Sequence, residues 1–101
     1  MTDIKLKEEL ALNVDEAEWS WLKPHLDRDA LITVSSVLDL AEAGERIAAN
    51  DSHTVSAWIN ASRVGKPTDD EITKWNADPQ KKFLILIVSP YVLIQEIGTI
   101  N

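Results

Sequence analysis

Along this chain, apolar positions recur every three or four residues in five stretches and run almost unbroken in three shorter ones. Ile4, Leu6, Leu10, Ala11 and Val14 fall near one face of a helix over residues 3–13. Asp15 with Glu18 three residues on has the form of a helix-capping pair, and Trp19, Leu22 and Leu26 follow at helical spacing. Pro24 interrupts that spacing, so a broken helix is expected over residues 16–28. Ala30-Leu31-Ile32-Thr33-Val34 is short, apolar and β-branched, which predicts a buried strand closed by Ser35 and Ser36. Val37, Leu40, Ala41, Gly44, Ile47 and Ala48 then form one apolar stripe, and Ser36 with Asp39 fits the capping pattern at its head. A helix over residues 37–50 follows. Gly44 lies on that stripe although glycine costs up to about 1 kcal/mol of helix propensity against alanine, so another element is expected to pack very close there.

Asn50-Asp51-Ser52 supplies a stop and a new cap, after which Val55, Trp58, Ile59 and Ser62 mark a helix that ends before Gly65-Lys66-Pro67. Thr68 and Glu71 form a capping box, with Asp69 and Asp70 favourably placed at the positive end of the helix dipole and Ile72 and Trp75 on the buried face. Phe83 to Val88 is continuously apolar, as in a strand covered on both faces. The last segment has two readings. Ser89, Pro90 and Gly98 would frame a short helix, whereas Tyr91-Val92-Leu93-Ile94 favours a strand, the preferred reading, with Pro90 at a sharp bend. The order of elements predicts a single α+β domain spanning residues 1–101, in which a small two- or three-stranded sheet is covered by four to five helices.

Composition narrows the function classes. The chain has 101 residues and no Cys, which removes disulfides, thiol nucleophiles and Cys-ligated metals. Its net charge is −7, and all of it sits in residues 1–51, since residues 52–101 hold five acids and five bases. An acidic surface repels phosphate backbones, so nucleic acid is not an expected partner. The segment of residues 52–78 has the outline of a helix-turn-helix, yet its second helix would begin on Asp69, Asp70 and Glu71, where phosphates would lie. No apolar leader opens the sequence, and Phe83 to Ile94 is too short for a membrane helix and carries Ser89 and Pro90, so a cytoplasmic protein without membrane contact is expected.

No nucleophile elbow, phosphate loop or dinucleotide fingerprint occurs, and no catalytic residue or cofactor is assigned. Asp39 and Glu42 share a helical face and could offer oxygen ligands, although a capped, solvated acidic turn is the preferred reading. His25 and His53 lack metal-site spacing, and no metal site is predicted. Of four Trp, three fall on predicted apolar faces (Trp19, Trp58, Trp75), leaving Trp21 as the exposed or pocket-lining one. Gln95 and Glu96 directly follow an apolar segment; they are either its first solvated residues or point into a cleft beside Asp39.

Leu38-Asp39-Leu40, Ala49-Asn50-Asp51, Val55-x-x-Trp58 and the ending Val88-Ser89-Pro90-Tyr91-Val92-Leu93-Ile94-Gln95-Glu96 together resemble the small bacterial proteins grouped as domain of unknown function 2288. The likeness runs from about Trp21 to Glu96, with Tyr91 standing where Trp is expected. It implies a compact stand-alone protein and no reaction, substrate or catalytic residue. Two functions remain in competition. One is a non-catalytic interaction or regulatory module that self-associates as a homodimer, because ten of the twelve residues from Phe83 to Ile94 are apolar and a small sheet cannot cover them all. The other is a small-ligand or metal-binding protein whose acidic cleft draws on Asp39, Glu42 and Glu96, with Trp58 and Gln95 beside it.

Overall fold

A computed structural model describes residues 9–97. Helix α1 contributes residues 9–12. Then come β1 (Asp15–Glu18), α2 (Trp19–Leu26), β2 (Leu31–Val34), α3 (Leu40–Ala48) and α4 (Ser52–Asn60). The chain closes with β3 (Val64–Gly65), α5 (Asp69–Asn76), β4 (Lys82–Val88) and β5 (Tyr91–Glu96). The α+β class is as expected, but the sheet has five strands rather than two or three, in the order β1-β4-β5-β2-β3. β2 and β5 run parallel, and every other neighbouring pair is antiparallel.

Two edge strands account for the difference. Asp15–Glu18, expected to open a helix, lies extended against β4, with Asp15 opposite Ile85 and Ala17 opposite Phe83. The pairing with β4 buries Ala17 and overrides the capping signal, and α2 starts only at Trp19. β3 is two residues long, and its Val64 opposite Val34 is held by β2 alone. Residues 91–96 form a strand, as preferred, and Ser89-Pro90 is the two-residue hairpin between Val88 and Tyr91, with a cis peptide bond.

Strand alternation sends successive side chains to opposite faces. On one face Ala17, Leu31, Phe83, Val92 and Ile94 pack with Trp19 and Leu22 of α2 and Trp75 of α5. On the other, Val34, Leu86 and Leu93 pack with Leu40 and Ala43 of α3, with Leu10 and Trp58 partly buried beside them. Helices thus cover both faces, and the apolar run from Phe83 to Ile94 is largely shielded within one chain. Ile87, at 63% exposure, and Tyr91, at 39%, are the exceptions. Trp19, Trp75 and Phe83 form an aromatic trio, with ring centroids 5.1 Å, 6.1 Å and 4.9 Å apart. Trp21 is 63% exposed, as its position predicts. Trp58 faces the core as expected but is only half-buried, and α4 contains no fully buried residue. Of the helix expected over residues 3–13, residues 3–8 lie outside the described residues.

α3 begins at Leu40, not residue 37, because Asp39 rather than Ser36 is its N-cap. Val37 is consequently left in a turn and exposed. Gly44 faces β4 as its stripe requires: a Cβ there would stand 2.6 Å from Leu86 Cδ2 and 3.4 Å from Val88 Cγ2. Three helices end on a left-handed residue other than glycine. Asp29, Asn50 and Ser62 take φ of 60°, 58° and 61° after α2, α3 and α4. In each case the next residue's N–H reaches back five residues, to His25, Arg46 and Trp58 respectively. Asn tolerates this left-handed conformation and Ser does not, so Ser62→Gly is expected to stabilise the fold by about 0.5–1 kcal/mol in urea denaturation. A destabilised variant would show that the Ser62 side chain contributes more than its backbone costs.

The Asp51 cap accepts a hydrogen bond from the Thr54 N–H at 3.2 Å and pairs with Arg46 at 3.2 Å. The Thr54 hydrogen bonds, aided by the Arg46 charge and against an opposing desolvation, hold its carboxyl below the ordinary carboxylate range. A lowered folded-state value adds stability at neutral pH that is lost as pH falls through it. Asp51→Asn keeps a capping oxygen without the charge, so the gap in Tm between the two proteins should close as pH drops below 4, about where an ordinary carboxylate protonates.

Candidate functional site

Parallel strands β2 and β5 end side by side at Val34 and Glu96, and the chain continues from β2 as a turn in which the Leu38 N–H bonds the Ser35 carbonyl. That turn is clamped from below. Gln95 is buried, and its Nε2 donates to the carbonyls of Ser35 at 2.9 Å and Leu38 at 2.8 Å. A buried amide with two good acceptors is a structural tie, and it sets the approach to the Asp39 cap.

On the opposite face of the same strand ends lies a polar cleft of ≈ 270 Å³. Thr33, Ser35 and Ser36 contribute from the end of β2, and Ile94 and Glu96 from the end of β5. Ser62 and Arg63 enter from the loop before β3, and Glu71 and Trp75 from α5. Open α/β sheets bind ligands in the crevice outside the carboxyl ends of their parallel strands, and this cleft occupies that position. The side chains there are unequally committed. Thr33 Oγ1 donates to the Gly65 carbonyl at 2.9 Å, and Ser35 Oγ accepts from the Val37 N–H at 3.3 Å. Glu71 Oε1 accepts from the Thr68 N–H at 3.0 Å, completing the capping box read in the sequence. Glu96 pairs with Lys81 at 3.3 Å. The Arg63 guanidinium has no hydrogen-bond or ion-pair partner among the described residues. Trp75 is 1% exposed, and its buried Nε1–H has no partner either. The neighbouring Trp19 differs, since its Nε1 donates to Asn76 Oδ1 at 2.9 Å.

The residues singled out in the sequence do not converge on one cleft. Asp39 is exposed and caps α3, accepting from the Glu42 N–H at 3.3 Å, and Glu42 is half-buried in the same turn. Gln95 and Glu96 are successive strand residues and point to opposite faces, Gln95 beneath the turn and Glu96 into the cleft. Trp58 belongs to the other face. Among the described residues no three His, Asp or Glu side chains come close enough to hold a metal ion. Arg63, Glu71 and Trp75 were not linked to Glu96 by any sequence signal, because the cleft gathers five separate segments. Among the described residues no helix is long and apolar enough to cross a membrane.

No curated protein matches the chain. Among solved structures, the NMR solution structure of PA1075 from Pseudomonas aeruginosa is similar, with 30% sequence identity and a TM-score of 0.78, over 96% of this chain and 92% of that one. The family model described as "Protein of unknown function (DUF2288)" matches residues 5–96, which include the β4–β5 hairpin, the Gln95 tie and the Glu96 wall of the cleft; the chain belongs to that family.

Proposed function

We propose that this protein is a small-molecule binding module whose site is the cleft at the carboxyl ends of β2 and β5. One observation carries the reading: a polar cleft lies outside the carboxyl ends of the parallel strands β2 and β5, where open α/β sheets bind ligands. The Arg63 guanidinium in its lining has no partner among the described residues and is open to an incoming oxygen acceptor. Three of the four Trp indole N–H groups lie elsewhere in the fold, so the Trp75 resonance in a nitrogen–proton NMR spectrum, identified by its loss in Trp75→Phe, is a local probe. Titration with small polar compounds of different charge should move that resonance and raise Tm with at least one class. A panel of anions, cations, zwitterions and neutral polyols that leaves the resonance in place sinks the reading.

Self-association is the second reading, and a groove of ≈ 370 Å³ on the other face favours it. Ile47, Val55, Ile59 and Tyr91 line it, with Lys66 the charged residue at its rim. Its lack of acids sets it apart from a surface of net charge −7, which otherwise opposes contact between copies. Light scattering at micromolar concentration separates the cases: a mass near 11.3 kDa refutes a homodimer, and twice that supports it.

A further inference from the structure

We infer that the ligand of the cleft is a small zwitterion of the amino-acid type, with its carboxylate on Arg63 and its ammonium toward Glu71 and Glu96. The inference rests on the ligand-binding reading above and goes further by naming the chemistry. The Arg63 guanidinium has no partner among the described residues, lines the cleft and can take an oxygen acceptor. A planar guanidinium matches a carboxylate in paired hydrogen bonds.

The acids decide the rest. A simple anion on Arg63 would also face the carboxylates of Glu71 and Glu96, and a simple cation on those carboxylates would face Arg63. Each of these acids already holds one partner, Thr68 N–H or Lys81, yet a carboxylate has about four acceptor positions, so both retain capacity for an ammonium. A molecule with both charges a few bonds apart satisfies each end. The ≈ 270 Å³ of the cleft matches a single amino acid rather than a peptide.

The test follows the Trp75 indole resonance and Tm of the full chain with each standard L-amino acid at millimolar concentration. The best binder is then compared with its decarboxylated amine and with the hydroxy acid that replaces its ammonium. The intact amino acid should bind at least about tenfold more tightly than either half, since each loses a charge-assisted contact. Arg63→Gln should weaken binding by at least about tenfold while leaving the Tm of the unliganded protein nearly unchanged, because the residue is exposed. Should the amine or hydroxy acid bind as well as the parent, or a different chemical class alone move the resonance, the zwitterion assignment is overturned and the cleft remains a binding site. Silence from every class overturns both.

Discussion

Trp19→Ala is expected to cost about 3–5 kcal/mol of stability, a large share of the roughly 5–15 kcal/mol available to a domain of this size. Trp19 has 0% exposure, stacks at a tilt on Trp75 and Phe83, and donates its indole N–H to Asn76. Truncation to a methyl group leaves a cavity beneath α2 that the surrounding rings can close only in part, and it strands the Asn76 oxygen. In thermal terms the loss corresponds to a fall in Tm of no less than about 12 °C. The four tryptophans together make the test sharper. Trp58→Ala, half-buried on the other face, should cost about 1–2 kcal/mol, and Trp21→Ala, 63% exposed, no more than about 0.5 kcal/mol. Urea denaturation of the single variants, with unchanged m-values, reads the order directly. A loss at Trp58 equal to that at Trp19 would contradict the arrangement of helices on the two faces.

Gly44→Leu is the second large effect, expected to exceed about 3 kcal/mol. Even a methyl group at this position would stand 2.6 Å from Leu86 Cδ2, and Leu86 is itself fully buried at 0% exposure. The Leu86 tip can rotate only into space filled by its own cluster. Gly44→Ala therefore sets a gain of up to about 1 kcal/mol in helix propensity against an overpacking cost of about 1–3 kcal/mol, and a net loss is expected. Shortening the obstructing side chain provides an internal control. In a Leu86→Val background the Gly44→Ala change should cost less than in the native sequence, because the two positions compete for one volume. Additive losses would mean that α3 shifts bodily instead.

Where a short-range pattern was enough, the sequence was legible. The Thr68 and Glu71 capping box, the Asp51 cap, the close approach at Gly44 and the strands of residues 82–88 and 91–96 all depend on spacing within one element. Asp15 and Glu18 misled for the same reason: a local capping pattern was outweighed by a strand partner some seventy residues away in the sequence. Val64–Gly65 carries no strand signal of its own, and its identity comes from β2. Gln95 was conspicuous as a polar residue after an apolar run, but its acceptors are the carbonyls of Ser35 and Leu38, which no side-chain pattern can reveal. The cleft was illegible as a whole. Its walls come from residues 33–36, 62–63, 71–75, 83 and 94–96, and only the parallel junction of β2 with β5 brings them together.

The composition of the outer strands bears on colloidal behaviour. Phe83–Val88 has the low charge and β-branched, apolar character of a fibril-forming segment, and it occupies an interior position in the sheet. On one side its neighbour β1 carries Asp15, Glu16 and Glu18 among four residues, so a chain approaching that edge meets carboxylates at every position but Ala17. The other edge, β3, offers a template only two residues long. Both margins of the sheet resist cross-β growth by charge or by brevity. Three of the acids of the N-terminal half are thereby placed as a guard on assembly, and fibrils should appear only under conditions that first detach β1, such as acid strong enough to neutralise its carboxylates.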